Sequence, residues 1–396
     1  MSQAPLTRRL KERAAELGFM ASGVVSVKAL GRDDHRLGQW LEQGFAADMD
    51  YMKRTNERRE RMLSGFPWAK NAVLLAIPYA GRKPFEPKAP LSGRVARYAW
   101  GKNYHKVIKK KLAELIAFLQ ADLPTPFQAE PFVDTAPILE RSVAEQAGLG
   151  FVGKNTTLIQ PRHGSFFFLA GFLTDADLEQ DRPLRRDAYR GEFFGCGTCT
   201  RCLDVCPTQA LTAPYQLDAG RCISYQTIEN RGTIPVDIRE GMGEWVFGCD
   251  LCLEVCPYNA KAVLPDPAFE PSDGPGERLD LGALLSLRTD QAFLEAYSGT
   301  SLIRSKREGL LRNAAVAAGN SGDPDAVPML VKALQEDGSA LVRSHAAWAL
   351  GRLGSLDAVG VLTVCRDTEK DGKVLEELDS ALARCQGSPA VPKDRL

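Results

Sequence analysis

Short apolar runs alternate with helical stretches over the first half of the chain. Residues 21–27 and 72–79 are apolar or β-branched over the length of a strand, and residues 127–134 predict a further strand. Residues 104–120 repeat their apolar positions with the period of an α-helix. A second helix is predicted over residues 138–147, because proline is tolerated where a helix begins. This alternation predicts a domain that mixes strands and helices.

A β-hairpin is predicted next, with strands at residues 158–160 and 165–174 around the turn Pro161-Arg162-His163-Gly164. Residues 1–17 interleave charged and apolar positions, which predicts an amphipathic helix rather than a secretory signal with its uninterrupted apolar core. We therefore expect residues 1–186 to form one α/β or α+β domain.

The last part of the chain, residues 279–396, has a helical and repetitive pattern. The segment Asn313-Ala-Ala-Val-Ala-Ala-Gly-Asn-Ser-Gly322 recurs as His345-Ala-Ala-Trp-Ala-Leu-Gly-Arg-Leu-Gly354, and Asp-Ala-Val follows both copies at the same offset of 32 residues. A constant offset, with small residues where helices meet and glycine at the helix end, is typical of a helical solenoid. The pattern predicts all-α repeats of the HEAT type.

Cysteines set the spacing of residues 187–263. The run Cys196-x2-Cys199-x2-Cys202-x3-Cys206-Pro207 has the spacing of a bacterial ferredoxin, and Cys249-x2-Cys252-x3-Cys256-Pro257 follows it. Val246 occupies the position of the second run that corresponds to Cys196, so the two runs supply one thiolate too few for two cubane clusters. Cys222 lies between them and completes the set.

These spacings predict two [4Fe–4S] clusters in a ferredoxin-like domain. In such runs the cysteine before proline binds the other cluster. One cluster is then expected on Cys196, Cys199, Cys202 and Cys256, and the other on Cys206, Cys222, Cys249 and Cys252. Zinc ribbons are the alternative, but their spacings leave no role for Cys196 or Cys222. Cys365 and Cys385 are expected to be small buried residues between helices.

Charge and hydropathy limit the partners. Fifty basic and fifty acidic residues balance, so a nucleic acid must be met by a local patch. No apolar run approaches the roughly 20 residues that cross a bilayer. We therefore expect a cytoplasmic monomer without a membrane partner. In that reducing compartment ten cysteines are more often ligands or buried thiols than disulfides.

Five ordered motifs carry a family resemblance over almost the whole chain. They are Arg97-Tyr98-Ala99-x-Gly101-x-x-Tyr104-His105, Asp134-x-x-Pro137-x-x-Glu140-Arg141, Gly148-Leu149-Gly150-Phe151-Val152-Gly153-Lys154-Asn155-Thr156, Arg221-Cys222-Ile223-Ser224-Tyr225, and Arg304-x-Lys306-Arg307-x-Gly309-x-x-Arg312-Asn313. Together they resemble the epoxyqueuosine reductases.

The resemblance implies that the N-terminal domain carries a cobalamin and reduces the epoxide of epoxyqueuosine in tRNA to queuosine at the wobble position. Cobalamin rests on the resemblance alone. The residues themselves fit a reduction, because iron–sulfur clusters deliver low-potential electrons and a carboxyl group supplies protons.

The resemblance also suggests individual site residues. Asp134 matches the family's proton donor, and the alternative is that it only caps the following helix. Tyr104 and His105 are expected to contact the cofactor or substrate. A turn is expected to meet the corrin edge, through Lys154, Asn155 and Thr156, and its alternative is an ordinary loop. Ser224 and Gln226 are expected to line the cofactor pocket or to orient the cluster.

Basic residues are candidates for phosphate contacts with tRNA. The expected substrate-binding residues are Arg141, Arg304, Lys306, Arg307 and Arg312. Two further basic clusters are Lys102, Lys106, Lys109, Lys110 and Lys111, and Arg54, Arg58, Arg59 and Arg61. For each, the alternative is a solvated charged helix face.

Two other functions compete with this hypothesis. A cobalamin-dependent reductive dehalogenase of small organohalides would use the same cofactors, but it would have no need of C-terminal repeats. A non-enzymatic two-cluster electron carrier would leave residues 1–186 without a task. In every case an external electron donor is required.

Overall fold

The computed structural model describes residues 6–80, 90–122, 126–134, 136–185, 187, 194–262 and 265–387. The predicted domain boundaries at residues 186 and 263, and the first five residues of the predicted N-terminal helix, lie outside the described residues. The described chain forms two compact units. The first unit draws on Met1–Pro84, Lys102–Gly220 and Asp250–Glu270, and the second on Phe85–Gly101, Arg221–Cys249 and Pro271–Leu396.

The α-helices, numbered along the chain, are α1 Leu6–Glu16, α2 Asp34–Glu42, α3 Asp50–Lys53, α4 Thr55–Gly65, α5 Tyr104–Asp122, α6 Glu140–Gln146, α7 Arg201–Asp204, α8 Ile223–Ile228, α9 Val236–Arg239, α10 Leu251–Glu254, α11 Leu281–Leu285, α12 Asp290–Tyr297, α13 Lys306–Asn320, α14 Val327–Glu336, α15 Ala340–Leu353, α16 Val359–Thr368 and α17 Gly372–Gly387. The strands are β1 Ala21–Ser26, β2 Asn71–Pro78, β3 Ser92–Val95, β4 Ala129–Phe132, β5 Phe151–Val152, β6 Leu158–Ile159, β7 Phe167–Thr174, β8 Trp245–Phe247 and β9 Arg278–Asp280. Among the described helices, none is long and apolar enough to cross a membrane.

A four-stranded sheet forms the centre of the first unit, with strand order β1-β2-β7-β4. All its pairings are antiparallel, which selects the α+β class from the two that the sequence left open. Every residue of β2 is buried, because this strand has a neighbour on each side. The strands predicted at residues 21–27, 72–79 and 127–134 are confirmed with slightly different bounds.

The predicted hairpin is confirmed at its turn, where Gln160 and Gly164 form an antiparallel bridge, but the pairing predicted for its strands is wrong. β6 pairs with β5 and not with β7, which instead lies between β2 and β4. The turn that closes β5 and β6 is tight: Gly153 N–H donates to Thr157 O at 2.8 Å, and Thr156 N–H to Gly153 O at 2.9 Å. β5 has only two residues, too few to show the alternating pattern by which a strand is predicted.

Helix α5 confirms the helix predicted over residues 104–120, and it buries Ile108, Leu112, Leu115 and Leu119 in the first unit. Helix α6 begins at Glu140, two residues after the predicted start. Leu139 is its N-cap residue, without a side-chain capping hydrogen bond.

The second unit joins a small sheet to the helical repeats. The sheet has strand order β8-β3-β9, with β3 and β8 parallel and β3 and β9 antiparallel. The repeats are confirmed by helices α13, α15 and α17, which pack successively. A Cβ atom on Gly319 would lie 2.8 Å from Ala349, and one on Gly351 would lie 2.6 Å from Ala381. Both glycines and both alanines are one repeat apart, so the small residues are needed for close helix packing.

Candidate functional site

Two neighbouring aromatic residues meet a carboxylate at one edge of the first unit. Tyr104 Oη, at the start of α5, donates to Asp134 Oδ2 at 2.8 Å. The Tyr104 ring stacks on Phe168 of β7 and on His105, each with 4.2 Å between ring centroids. The side chains expected from the sequence to act together, Tyr104, His105 and Asp134, are therefore adjacent.

Asp134 has an unusual backbone, with φ of 56°. Its N–H donates to Glu140 Oε1 at 2.9 Å, so the first residue of α6 holds Asp134 in this left-handed conformation. Its carboxylate accepts from Tyr104 and is 59% exposed. The alternative that Asp134 caps α6 does not fit this geometry, because Leu139 is the N-cap residue.

The two carboxyl groups of this site titrate differently. His105 Nε2, 3.6 Å from Asp134 Oδ2, and the hydrogen bond from Tyr104 lower the pKa of Asp134. Burial, helped by the negative charge of Asp134, raises the pKa of Glu140 to about 8. The sequence hypothesis looked for a raised pKa at Asp134, but it is Glu140 that holds a proton at neutral pH. Divergent pKa values in one pair are typical of acid–base sites.

The raised pKa of Glu140 predicts a pH-dependent stability. Because the folded chain keeps the Glu140 proton up to about pH 8 and the unfolded chain loses it near pH 4.5, stability falls as the pH rises through this window. Glu140→Gln is expected to remove that fall. Urea unfolding midpoints at about pH 5.5 and about pH 8 should therefore converge in the variant. An equal pH slope in both proteins would show that Glu140 ionises normally.

A turn between β5 and β6 carries three more predicted residues. Arg141 Nη1 donates to Thr156 O at 2.8 Å, and Thr156 has φ of 63°. Asn155 is buried, and its Oδ1 accepts from Thr157 Oγ1 at 2.8 Å. The Lys154 side chain is bonded to the cysteine loop. The hydrogen bonds of Asn155 and Arg141 hold the turn itself together, so their predicted cofactor and substrate contacts stay predictions.

Four cysteines of the first unit lie close together. All ten cysteines are free thiols. Burial is the main cause that raises the pKa of both Cys202 and Cys256, and the nearby Cys196 raises both further. Cys199 also acts on Cys202, and Cys202 on Cys256. The neighbours include all four cysteines of the first predicted ligand set, so the donor chemistry fits a [4Fe–4S] cluster.

An open pocket of about 350 Å³ lies beside these thiols. It is lined by Cys196, Thr198, Cys199, Thr200, Arg201 and Pro257. In the described part of the chain, no three His, Cys, Asp or Glu side chains are arranged to hold a single metal ion. A cubane cluster does not require several ligands around one metal ion, since each thiolate binds a different iron atom.

The two cysteine runs fold alike. Short helices α7 and α10 contain Cys202 and Cys252, and they pack against each other within the first unit. Cys206 Sγ accepts a hydrogen bond from Ala210 N–H at 3.3 Å. Of the second predicted ligand set, Cys206 and Cys252 belong to the first unit, and Cys222 and Cys249 to the second. The assignment of these four cysteines to one cluster stays a prediction.

Buried polar side chains occupy the second unit around α13. Arg312 is 0% exposed and donates to three carbonyl oxygens, Asn230 O at 3.0 Å, Gly232 O at 2.6 Å and Gln226 O at 2.6 Å. Arg307 is also buried, and its Nη1 donates to Asp337 Oδ2 at 2.8 Å. The structure gives both arginines structural contacts in place of the predicted contacts with substrate.

Other predicted residues of the second unit differ in accessibility. Gln226 is 2% exposed, and its Oε1 accepts from Asn230 Nδ2 at 2.6 Å, which places it in the protein core and not on a cofactor surface. Ser224 is half-buried. Arg304 is half exposed and pairs with Glu229 at 2.8 Å, while Lys306 is exposed. Arg304 and Lys306 thus stay accessible to a phosphate.

The other two basic clusters also have fewer accessible residues than the sequence suggested. Arg59 is buried and bonded to Asp34, and Lys111 pairs with Asp266 at 3.0 Å. The accessible lysines of the α5 cluster are Lys102, Lys106, Lys109 and Lys110.

Sequence reasoning missed the role of Glu140. The signal was present, because Glu140 lies in the same motif as Asp134 and opens a helix. Its place in the motif made Glu140 a candidate, but its hydrogen bond with the backbone N–H of Asp134 can be seen only in the structure.

Family comparisons divide the chain in a consistent way. Residues 59–135 match the family described as epoxyqueuosine reductase QueG. Residues 195–259 match a 4Fe-4S double cluster binding domain, and residues 300–383 match HEAT repeats.

Curated relatives and solved structures resemble the chain over most of its length. The epoxyqueuosine reductase of Pseudomonas aeruginosa is 40% identical, over 89% of this chain and 95% of the relative. That of Escherichia coli is 34% identical, over 88% of this chain and 89% of the relative. A crystal structure of epoxyqueuosine reductase with an epoxyqueuosine-modified tRNA-Tyr stem loop is 30% identical, with a TM-score of 0.85, and the match covers 96% of this chain and 99% of that one. A Bacillus subtilis structure with its catalytic loop swung out of the active site is 29% identical, with a TM-score of 0.83, over 96% and 98%.

Proposed function

The chain belongs to the epoxyqueuosine reductase family, and on that premise we propose that it reduces epoxyqueuosine to queuosine at the wobble position of tRNA. One observation carries the proposal within this chain. The residues Tyr104, Asp134 and Glu140 form an acid–base cluster in the same unit as the cysteines of a predicted cluster. A protein that only carried electrons would not need these acid–base residues.

The reaction requires two electrons and two protons. The epoxide is converted to an alkene, and its oxygen leaves as water. The electrons come from an external donor through the two [4Fe–4S] clusters. When bound, cobalamin supplies a low-potential nucleophilic metal for opening the epoxide. The proton supply is left to the side chains of the protein.

The aromatic edge of the first unit fits a bound cofactor. His105 Nε2 is buried and makes no hydrogen bond to the described residues, so a polar group of a ligand can satisfy it. The stacked rings of His105, Tyr104 and Phe168 offer an apolar face beside it. We infer that Tyr104 and His105 would hold cobalamin next to Asp134, and that Lys154, bonded elsewhere, would not.

We assign different proton roles to the two carboxyl groups. Asp134 is the more exposed and is held by Tyr104, so it delivers the proton to the leaving oxygen. At neutral pH its lowered pKa leaves it ionised, so it relays a proton that it first takes up and is not itself a standing acid. Glu140 keeps its proton up to about pH 8 and is bonded to the Asp134 backbone, so it is the adjacent proton store.

Exposed lysines suggest where the RNA is met. Lys102, Lys106, Lys109 and Lys110 lie on or beside α5, the helix that also carries Tyr104. Lys306 and Arg304 remain accessible in the second unit. Phosphate contacts from such residues supply affinity, and an anticodon loop offers an unstacked base at low cost.

Anaerobic turnover tests the proposal. The reconstituted protein should convert epoxyqueuosine-containing tRNA to queuosine-containing tRNA when cobalamin and a low-potential reductant are present, and not when cobalamin is left out. No conversion with both clusters intact would contradict it. Organohalides would then be tested, because a reductive dehalogenase uses the same cofactors. We place the reaction in the cytoplasm, by a monomer with a separate electron donor.

A further inference from the structure

The turn between β5 and β6 reaches the loop that carries the first cysteines. Lys154 N–H points at Cys196 Sγ, with 3.3 Å between nitrogen and sulfur. Lys154 Nζ donates to Gly197 O at 2.8 Å and to Cys199 O at 2.9 Å. One residue from a distant part of the chain thus contacts the ligand loop at three points. The sequence had suggested a different task for it, at the corrin edge.

The position of Lys154 is fixed by its surroundings. Its carbonyl accepts from Tyr215 N–H at 2.9 Å, and the flanking Gly153 closes the turn to Thr157 at 2.8 Å. Its neighbour Asn155 is buried. A lysine on a solvated loop would move freely. Hydrogen bonds hold both the backbone and the ammonium group of Lys154.

Charge so close to a ligand loop affects electron transfer. Reduction adds one negative charge to a cluster, and a nearby N–H dipole or ammonium group stabilises that charge. Hydrogen bonds to the sulfurs are among the features that set the potential of an iron–sulfur cluster. A positive group beside the cysteine loop therefore makes the cluster easier to reduce.

We propose that Lys154 sets the reduction potential of the cluster bound by Cys196, Cys199, Cys202 and Cys256, and holds it above the value that the cysteines alone would give. The inference rests on the predicted ligand set, and it does not depend on the RNA substrate. In this role Lys154 is a positioning and tuning residue, which does not touch the reacting atoms.

Potentiometric titration followed by EPR tests the proposal without any turnover. Lys154→Met keeps the backbone N–H but removes the positive charge and both side-chain hydrogen bonds. One of the two midpoint potentials is expected to shift to a more negative value, while the other stays at its wild-type value. Lys154→Arg keeps the charge and should restore the potential. Lys109→Met, on the exposed face of α5, is the matched control and should shift neither.

Three results would overturn the proposal. The first is two unchanged potentials in a Lys154→Met protein that holds both clusters. The second is an equal shift of both clusters, since that would reflect a general change in the protein. If Lys154→Met loses iron, Lys154→Gln is titrated instead, and its amide can still donate to one carbonyl. The same negative shift is then expected for Lys154→Gln. The third overturning result is iron loss in Lys154→Gln too, which would show that Lys154 has only a structural role.

Discussion

Asp134→Asn is expected to lower the turnover of epoxyqueuosine-tRNA by about 10²–10⁴-fold, the range over which general acid catalysis contributes. The amide can still accept the Tyr104 hydrogen bond, and the backbone N–H can still bond Glu140. The fold of the site is therefore retained, while the group that delivers a proton is lost. Single-turnover conversion under anaerobic conditions measures the effect, and iron content and cobalamin binding should equal those of the wild type.

Glu130→Gln is the matched control for this variant. Glu130 lies on the same strand-end segment, in β4, and is exposed. It should leave turnover unchanged. If Asp134→Asn kept at least half of the wild-type rate, Asp134 would have no part in proton transfer, and Glu140 would become the leading candidate for the donor.

Arg312→Met should lower the free energy of unfolding by about 3 kcal/mol, because the buried carbonyls of Asn230 and Gln226 lose their donor and each unsatisfied group costs about 1–3 kcal/mol. The loss is smaller than the sum because burial already penalises the Arg312 charge, which lowers the pKa of its guanidinium to about 9. Two of the three carbonyls, those of Gln226 and Asn230, follow Cys222 closely in sequence. Iron content should therefore fall as well. Anaerobic urea unfolding followed by tryptophan fluorescence, with iron analysis, measures both effects.

The control is Arg304→Met, on the same stretch of chain. Arg304 pairs with Glu229 at 2.8 Å but is 56% exposed, and such surface pairs contribute at most about 1 kcal/mol. A loss of stability as large as that of Arg312→Met would mean that burial is not what distinguishes the two arginines. An unchanged midpoint in Arg312→Met would show that the carbonyls find other donors.

Local patterns in the sequence predicted much of this molecule. Cysteine spacing predicted the cluster domain, because ligand geometry restricts how many residues separate two thiolates. The offset between Asn313 and His345 predicted the repeats, and both positions turn out to be buried. Asp134 and Tyr104 were predicted by motif resemblance, and the structure places them in contact.

The missed features depend on contacts between distant residues. Arg307 and Arg312 have the same sequence appearance as surface arginines, and only the packing of α13 shows that they are buried. The Lys154 contacts with the cysteine loop join residues as far as 45 positions apart. Burial of Glu140, which separates its pKa from that of Asp134, likewise depends on the assembled site.

The way each unit draws on three separate stretches of chain has a consequence for biosynthesis on the ribosome. The first unit needs Asp250–Glu270, which includes Cys256, so three of its predicted cluster ligands emerge long before the fourth. In the second unit, Arg278 Nη1 bonds Ser92 Oγ across 186 residues. Neither unit can close while the chain is half made. Nascent chains therefore expose bare cysteines from the synthesis of Cys196 until that of Glu270. We expect iron–sulfur delivery to follow synthesis of residue 270, with oxygen exposure before that point lowering the yield of loaded protein.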